Sequence, residues 1–283
     1  MSFQKIALNL GSGFTLNRVT QQALQQFFQQ HQKTLLCSPR TAEVFGEKVC
    51  SPKEIATADL ILALGGDGTF LATVREFYPS QAIFVGVRLS QGLGFLTELN
   101  LEHLLTFLPD ILANKLEISE RILLTGQIWR GVKQVREFRA LNEIALVQQN
   151  LPTLTQITFT TQQKKIADFF ADGVIVATPT GSTAYSLSAG GPLLFPTLEN
   201  LILTPIAPHL LGSRPLVLPA NFALATKVTK ANLVLQVDGQ QNFPLQEQDL
   251  VKFQVAKSKI KVGRIPRQSY FALLRQKLNW TSR

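Results

Sequence analysis

The chain of 283 residues is 45% hydrophobic and 17% charged, which excludes a disordered protein and suits one or two domains with a buried core. Its formal net charge of +9 favours anionic ligands, but the basic residues are scattered and form no DNA- or RNA-binding motif, so we expect no nucleic-acid partner. No apolar run reaches the roughly 20 residues needed to cross a bilayer, so we expect no membrane association. No secretory signal is recognisable, and the spacing of the two cysteines suits neither a zinc pair nor a disulfide framework. We therefore expect a cytoplasmic location.

The first 118 residues predict an α/β domain. Apolar runs typical of buried strands alternate with segments of helical periodicity. The predicted strands cover 5–11, 35–38, 60–64 and 82–87, and the predicted helices cover 17–31 and 69–77. The continuous apolar run at 60–64 is typical of a strand buried on both faces of a parallel sheet. We therefore expect an open parallel sheet covered by helices.

The pattern changes after about residue 118. Short apolar segments separated by Gly, Pro, Asn and Gln turns predict a β-rich, sandwich-like domain over residues 119–264. Residues 269–280 return to helical periodicity. We expect residues 265–283 to pack back on the first domain, which then comprises 1–118 and 265–283.

A glycine-rich turn follows the predicted strand at 60–64. Gly65, Gly66 and Gly68 surround Asp67, and a helix begins directly afterwards. Such a turn offers backbone N–H groups and the positive end of a helix to a phosphate. A carboxylate repels a polyanion, so its presence in a phosphate-binding turn suggests a specific role. Asp67 could act as a general base, hold a metal ion or bind a ribose hydroxyl. The alternative is a plain turn in which Asp67 caps the helix.

Two other segments concentrate polar side chains. Residues 171–192 contain Asp172, a strand at 174–177, a turn rich in Thr, Ser and Gly, and a short helix at 184–188, which together either hold a polar ligand or form a capped turn. Asn142 and Glu143 interrupt an apolar strand pattern, as a strand edge or bulge would, or as a ligand-facing pair would.

Taken together, these motifs resemble those of bacterial NAD kinases along nearly the whole chain. The resemblance rests on residues 65–71, 93–98, 141–143, 172–192, 213–219 and 238–240, in this order. It implies an open parallel α/β domain followed by a β-rich domain, the NAD kinase/diacylglycerol kinase-like fold. It also implies phosphorylation of the adenosine ribose 2′-hydroxyl of NAD to give NADP, with ATP or polyphosphate as donor, Mg²⁺ or another divalent metal as cofactor, and a homodimer or homotetramer whose neighbouring subunits complete parts of the site.

The resemblance assigns roles residue by residue. Asp67 is the expected catalytic proton acceptor, and the phosphate loop contains Gly65, Gly66 and Thr69. No metal ligand can be assigned to the protein. The expected NAD-binding residues are Gly68, Phe95, Asn142, Glu143, Asp172, Thr183, Ala184, Tyr185, Ser186, Leu187, Ser188 and Gln240.

Three features depart from the family pattern. Arg88 stands where an Asn is usual, Ser90 and Gln91 stand where small residues are common, and Phe170 stands where many members have Arg. These departures bear on how phosphates are held, on the choice between NAD and NADH, and on donor preference. A lipid or sugar kinase with the same glycine-rich loop and a non-catalytic dinucleotide sensor are the alternative functions.

Overall fold

The computed structural model describes residues 3–89, 91, 94–149, 155–210, 212–229, 232–266 and 269–280. These residues fall into two compact units, one within Met1–Glu120 and Ile260–Arg283 and the other within Arg121–Lys259. Within the described ranges, no helix is both long enough and apolar enough to span a membrane.

The elements of the first half of the chain are β1 (Lys5–Leu10), α1 (Arg18–Gln30), β2 (Thr34–Cys37), α2 (Pro39–Phe45), α3 (Pro52–Ile55), β3 (Leu60–Gly65), α4 (Asp67–Phe77), β4 (Ile83–Arg88), β5 (Leu99–Asn100), α5 (Leu101–Leu112), β6 (Glu117–Arg121), β7 (Leu124–Arg130) and β8 (Lys133–Ala140). Those of the second half are β9 (Glu143–Gln148), β10 (Gln156–Thr161), β11 (Lys164–Phe170), β12 (Gly173–Ala177), a 3₁₀ turn (Thr180–Thr183), α6 (Tyr185–Ser188), β13 (Asn200–Ile206), β14 (Leu216–Pro219), β15 (Leu224–Lys227), β16 (Leu233–Val237), β17 (Gln241–Pro244), β18 (Leu250–Val255), β19 (Ile260–Arg264) and α7 (Tyr270–Lys277).

The first unit is built on a seven-stranded sheet with the order β2-β1-β3-β4-β19-β6, and β5 pairs with β4. The pairs β1–β2, β1–β3, β3–β4, β4–β5 and β4–β19 are all parallel, which confirms the predicted parallel α/β sheet. Every residue of β3 is buried, because a central strand covered on both faces requires an uninterrupted apolar run. In α1, Leu24 and Phe28 lie four residues apart and are both buried against this sheet.

The second unit is a β-sandwich. One six-stranded sheet has the order β11-β10-β15-β18-β7-β8, and the other has the order β14-β13-β12-β9-β16-β17. Buried side chains from both sheets form one hydrophobic cluster, in which Phe159 and Phe253 of the first sheet join Leu146 and Val176 of the second. This arrangement confirms the predicted sandwich-like β-rich domain.

Several elements differ from the expectation drawn from the sequence. Strand β19 pairs with β4 in the first unit, although residues up to 264 were expected in the β-rich domain. The short helices α2 and α3 were not predicted, although each begins with a Ser–Pro pair (Ser38–Pro39 and Ser51–Pro52) that is typical of a helix start. Helix α4 begins at Asp67 rather than at Thr69.

Candidate active site

The turn between β3 and α4 lies at the carboxyl edge of the parallel sheet, where Gly65 of β3 is the register partner of Arg88 of β4. Gly66 is the N-cap of α4 and provides no side-chain cap, so Asp67 is not the capping residue. The Thr69 side chain packs against the chain at Gly11 and Gly65, since a Cβ at either glycine would lie 2.2 Å from its Oγ1. Gly68 is exposed. The N-terminal N–H groups of α4 are thus presented at this edge.

The Asp67 carboxylate turns toward residues 95–97 of the same unit. Its Oδ2 accepts the Phe95 N–H at 2.7 Å. Its Oδ1 accepts the Leu96 N–H at 3.1 Å, the Thr97 N–H at 3.0 Å and the Thr97 hydroxyl at 2.7 Å. Four donors therefore compensate the negative charge of the carboxylate at the start of α4.

Two glycines allow residues 95–97 to approach so closely. A Cβ at Gly94 would lie 2.2 Å from both Asp67 Oδ1 and Thr97 Oγ1. A Cβ at Gly86, in the middle of β4, would lie 2.1 Å from the Leu96 carbonyl oxygen. Any side chain at these positions would force the segment away from Asp67.

A basic side chain stands at the same sheet edge. Arg88 is the last residue of β4, and its Nη1 is buried without a hydrogen-bond partner among the described residues. Such a group carries a free donor and a positive charge, and it is costly to bury unless it meets an anion. The neighbouring Arg264 is different because it pairs with Glu98 at 2.8 Å.

The predicted NAD-binding residue Phe95 is half-buried. The Nζ of Lys277, near the end of α7, lies 5.3 Å from the centre of its ring, within range of a cation–π contact. Gln91 is exposed, whereas the Ser90 departure lies outside the described residues.

In the second unit, the turn that presents Asn142 and Glu143 is held by a buried carboxylate. Asp238 accepts hydrogen bonds from the N–H groups of Leu141 at 3.3 Å, Asn142 at 2.9 Å and Glu143 at 3.2 Å. The Asp238 N–H donates to the Glu143 carbonyl at 3.0 Å. On the other side, the Thr178 N–H donates to the Asn142 carbonyl at 2.9 Å.

The side chains of this fixed turn have unused polar atoms. Asn142 Oδ1 and Glu143 Oε2 are buried and have no hydrogen-bond partner among the described residues. Burial, followed by the negative charge of Asp238, raises the pKa of Glu143 to about 8, although the Tyr185 N–H donates to the carboxyl group and opposes this rise. At neutral pH Glu143 is therefore mostly protonated, and the pair offers one acceptor and one O–H donor.

Some polar side chains of the segment at 172–188 form hydrogen bonds within the second unit, and others are exposed. The buried Ser186 hydroxyl shares a hydrogen bond of 2.8 Å with Thr204, and the Thr183 hydroxyl donates to the Thr180 carbonyl at 3.2 Å. Tyr185 and Ser188 are exposed. Burial, followed by the charge of Glu143, raises the pKa of Tyr185.

The other residues expected to bind NAD also lie in the second unit. The Asp172 carboxylate has a buried Oδ1 without a hydrogen-bond partner among the described residues, and His209 Nε2 lies 3.5 Å from it. Gln240 is exposed after Asp238. Ala184 precedes α6 and Leu187 lies within it, and both are half-buried. Phe170 ends β11 and is half-buried.

Two residues of this geometry were not singled out from the sequence. Thr97 and Asp238 both lie in motifs that carried the resemblance, 93–98 and 238–240, yet only Phe95 and Gln240 were given roles. In both motifs the available signal was a polar residue two positions away from a residue that had been given a role. Within the described ranges, no group of three or more His, Cys, Asp or Glu side chains could hold a metal ion.

The fold and these polar clusters define a class. A parallel α/β unit with a glycine-rich turn at its carboxyl edge, combined with a β-sandwich, is the NAD kinase/diacylglycerol kinase-like fold. Residues 2–116 match the ATP-NAD kinase N-terminal domain, and residues 141–265 match the ATP-NAD kinase C-terminal domain.

Individual proteins agree with this match. An NAD kinase of Sulfurimonas denitrificans is 33% identical over 258 residues, covering 91% of this chain and 90% of its own length. An NAD kinase of Moorella thermoacetica is 37% identical over 267 residues, covering 92% and 85%. The crystal structure of yeast NADH kinase complexed with NADH superposes with a TM-score of 0.85 at 25% identity, covering 100% of this chain and 89% of that one. The chain belongs to the NAD kinase family.

Proposed function

We propose that the protein transfers the terminal phosphoryl group of ATP, or of polyphosphate, to the 2′-hydroxyl of the adenosine ribose of NAD and so forms NADP. Membership of the NAD kinase family supports the reaction. An NAD kinase of Archaeoglobus fulgidus of the same fold, with a TM-score of 0.76 at 21% identity and with 99% of this chain and 100% of that one covered, was crystallised in complex with ATP. The single observation that carries the assignment of the chemistry is the Asp67 carboxylate, fixed by four donors at the start of α4.

Asp67 is the proton acceptor of this reaction. The ribose oxygen forms a bond to the terminal phosphorus, the bond from that phosphorus to the bridging oxygen of the donor breaks, and the ribose proton passes to the Asp67 carboxylate. Positioning and charge neutralisation supply most of the rate acceleration in such transfers. A carboxylate whose orientation is fixed beforehand loses little entropy when the hydroxyl arrives.

The donor phosphates are held at the carboxyl edge of the parallel sheet. The turn of Gly65, Gly66 and Gly68 and the first N–H groups of α4 provide neutral donors. Arg88 adds a positive charge beside Gly65. An Arg is suited to this role because its guanidinium group binds two phosphate oxygens at once.

Mg²⁺ or another divalent metal is the proposed cofactor. In kinase sites Mg²⁺ usually keeps several waters and binds phosphate oxygens of the donor. When bound, Mg²⁺ would neutralise charge on the donor phosphates, and no protein ligand is assigned to it.

Residues of the second unit bind NAD. Asn142 and Glu143 provide buried, unused polar atoms from a rigid turn. Asp172 offers a carboxylate oxygen, Tyr185 an exposed ring, and Ser188 an exposed hydroxyl.

The proposal has two further parts. The protein forms a homodimer or homotetramer, which light scattering after gel filtration would measure. Its location is cytoplasmic, which suits two free, buried cysteines.

An endpoint assay tests the function. The protein is incubated with ATP or polyphosphate and with NAD or NADH in all four pairings, and NADP or NADPH is measured. Phosphate incorporation into diacylglycerol and fructose 6-phosphate is measured in parallel. Formation of NADP or NADPH in at least one pairing is expected, whereas tight NAD binding without any product would identify a dinucleotide sensor and refute the proposal.

The Asp67→Asn variant tests the role of the carboxylate. It keeps the size of the side chain and removes the proton acceptor, so kcat should fall by roughly 10²- to 10⁴-fold. The KM for NAD should change much less. Near-normal turnover of this variant would exclude Asp67 as the base.

A further inference from the structure

The two oxygens of the Asp67 carboxylate differ in how many donors they meet. Oδ1 accepts three hydrogen bonds, two of them from Thr97, whereas Oδ2 accepts one, from the Phe95 N–H. A carboxylate oxygen has about two lone-pair sites. Oδ1 is therefore saturated, and Oδ2 has one site left unused by the residues that the structure describes.

We propose that Thr97 is a positioning residue for Asp67: its hydroxyl and its N–H occupy Oδ1 and thereby leave Oδ2 as the oxygen that receives the ribose proton. This inference rests on the proposed function of Asp67. It assigns a role to a residue that lies outside the glycine-rich loop and is 30 positions away in sequence.

Thr97 is itself held rigidly, as a positioning residue must be. It is fully buried. Its Cγ2 packs against β4, where a Cβ at Gly86 would lie 2.9 Å away, and its Oγ1 lies where a Cβ at Gly94 would approach to 2.2 Å. The hydroxyl therefore has little freedom to leave Asp67, and a hydrogen bond of 2.7 Å to a charged acceptor is of the strong kind.

The hydroxyl has a function beyond satisfying the half-buried carboxylate. The N–H groups of Leu96 and Thr97 already fill the two lone-pair sites of Oδ1. The hydroxyl adds a third donor from the side-chain direction, which opposes rotation of the carboxylate about its Cβ–Cγ bond. Without it, only backbone N–H groups would hold the carboxylate, its plane could tilt, and the oxygen that receives the proton would be correctly placed for only part of the time.

The test compares Thr97→Val with Thr97→Ser. Valine keeps the shape and removes the donor, whereas serine keeps the donor. We expect Thr97→Val to lower kcat by about 10- to 100-fold and to leave the KM for NAD within about twofold of the original value. Thr97→Ser, which keeps the hydroxyl, should have a kcat within about threefold of the original. Thr73→Val is the matched control, because Thr73 is also fully buried and lies on α4. Its hydroxyl donates to the Thr69 carbonyl and accepts from the Asn9 side chain, and no hydrogen bond joins it to Asp67 among the described residues. The kcat of this variant should change by about twofold at most.

A double mutant separates positioning from a general structural effect. If Thr97 acts through Asp67, then Thr97→Val combined with Asp67→Asn should be no slower than Asp67→Asn alone. Thr97→Ala is measured as well, so that a folded variant without the hydroxyl is available if valine overpacks the site.

The outcomes distinguish the inference from the function on which it rests. Near-normal turnover of Asp67→Asn would remove the proposed base. A slow Asp67→Asn together with full kcat in Thr97→Val or Thr97→Ala would refute only the role of Thr97. Multiplicative losses in the double mutant, or failure of serine to restore kcat, would also overturn it.

Discussion

Glu143 makes the stability of the second unit depend on pH in a way that one substitution should reveal. Glu143 is 5% exposed, and burial together with the charge of Asp238 raises the pKa of its carboxyl group from 4.5 to about 8. The unfolded chain releases this proton near pH 4.5, whereas the folded chain retains it until about pH 8. The free energy of unfolding therefore falls as pH rises between these two values and is constant, with respect to this group, below and above them.

The expected magnitude follows from the same two values. At roughly 1.4 kcal/mol for each pH unit, the interval corresponds to roughly 5 kcal/mol, a large part of the stability of an ordinary domain. Glu143→Gln keeps the shape of the side chain and cannot ionise. At pH 5 its free energy of unfolding should lie within about 1 kcal/mol of the original protein, and at pH 9 it should be higher by several kcal/mol.

Urea denaturation at pH 5, 6, 7, 8 and 9 measures this difference. Trp129 of β7 reports on the second unit, and a Trp280→Phe background removes the other tryptophan from the signal. Glu247→Gln, at an exposed position of the same unit, is the matched control and should follow the original protein. The same pH dependence in the Glu143→Gln variant and its parent would refute a protonated Glu143.

Three further predictions concern residues near Asp67 and residues near the turn of Asn142 and Glu143. Arg88→Met keeps the length of the side chain but removes its charge, so the KM for the phosphoryl donor should rise about 10-fold or more while thermal unfolding is little changed; an unchanged donor KM would contradict a phosphate contact. Gly94→Ala places a Cβ 2.2 Å from Asp67 Oδ1 and should lower both kcat and stability, by about 1–3 kcal/mol for the latter, whereas Gly212→Ala, where a Cβ meets nothing within 4 Å, should do neither. Asp238→Asn exchanges the carboxylate that accepts from the N–H groups of residues 141–143 for a neutral amide, and it should weaken NAD binding measured by calorimetry about 10-fold; unchanged binding would show that the turn does not need this anchor.

The sequence predicted most of the fold because burial on both faces leaves a readable pattern. The apolar run of β3, followed by a glycine-rich turn, is typical of a central parallel strand. Strand β19 was harder, because in its sequence the polar Lys261 separates the apolar Ile260 and Val262, and such alternation suits an antiparallel strand equally well. Its partner, β4, lies more than 170 residues earlier in the chain, and no local signal encodes that pairing.

From the sequence, the candidate site could be predicted only where an unexpected residue type lies within a recognisable local motif. Asp67 stood out because a carboxylate inside a glycine-rich turn conflicts with phosphate binding. The resolution of that conflict is not local: the compensating donors come from residues 95–97, brought close by the absence of side chains at Gly86 and Gly94. From sequence alone, Gly86 reads as a weak position in a strand.

The same reasoning explains why a negative charge can remain at a place built for phosphate. An isolated carboxylate at the start of α4 would repel the donor, yet one that accepts four hydrogen bonds presents a reduced field while keeping one lone pair on Oδ2. Under the proposed function, the turn at 65–68 faces the phosphate, and the hydrogen bonds from residues 95–97 weaken the repulsion between Asp67 and the donor. A substitution that loosens the segment should accordingly affect both proton transfer and the binding of the anionic donor, whereas a change confined to the proton acceptor should affect the first far more than the second.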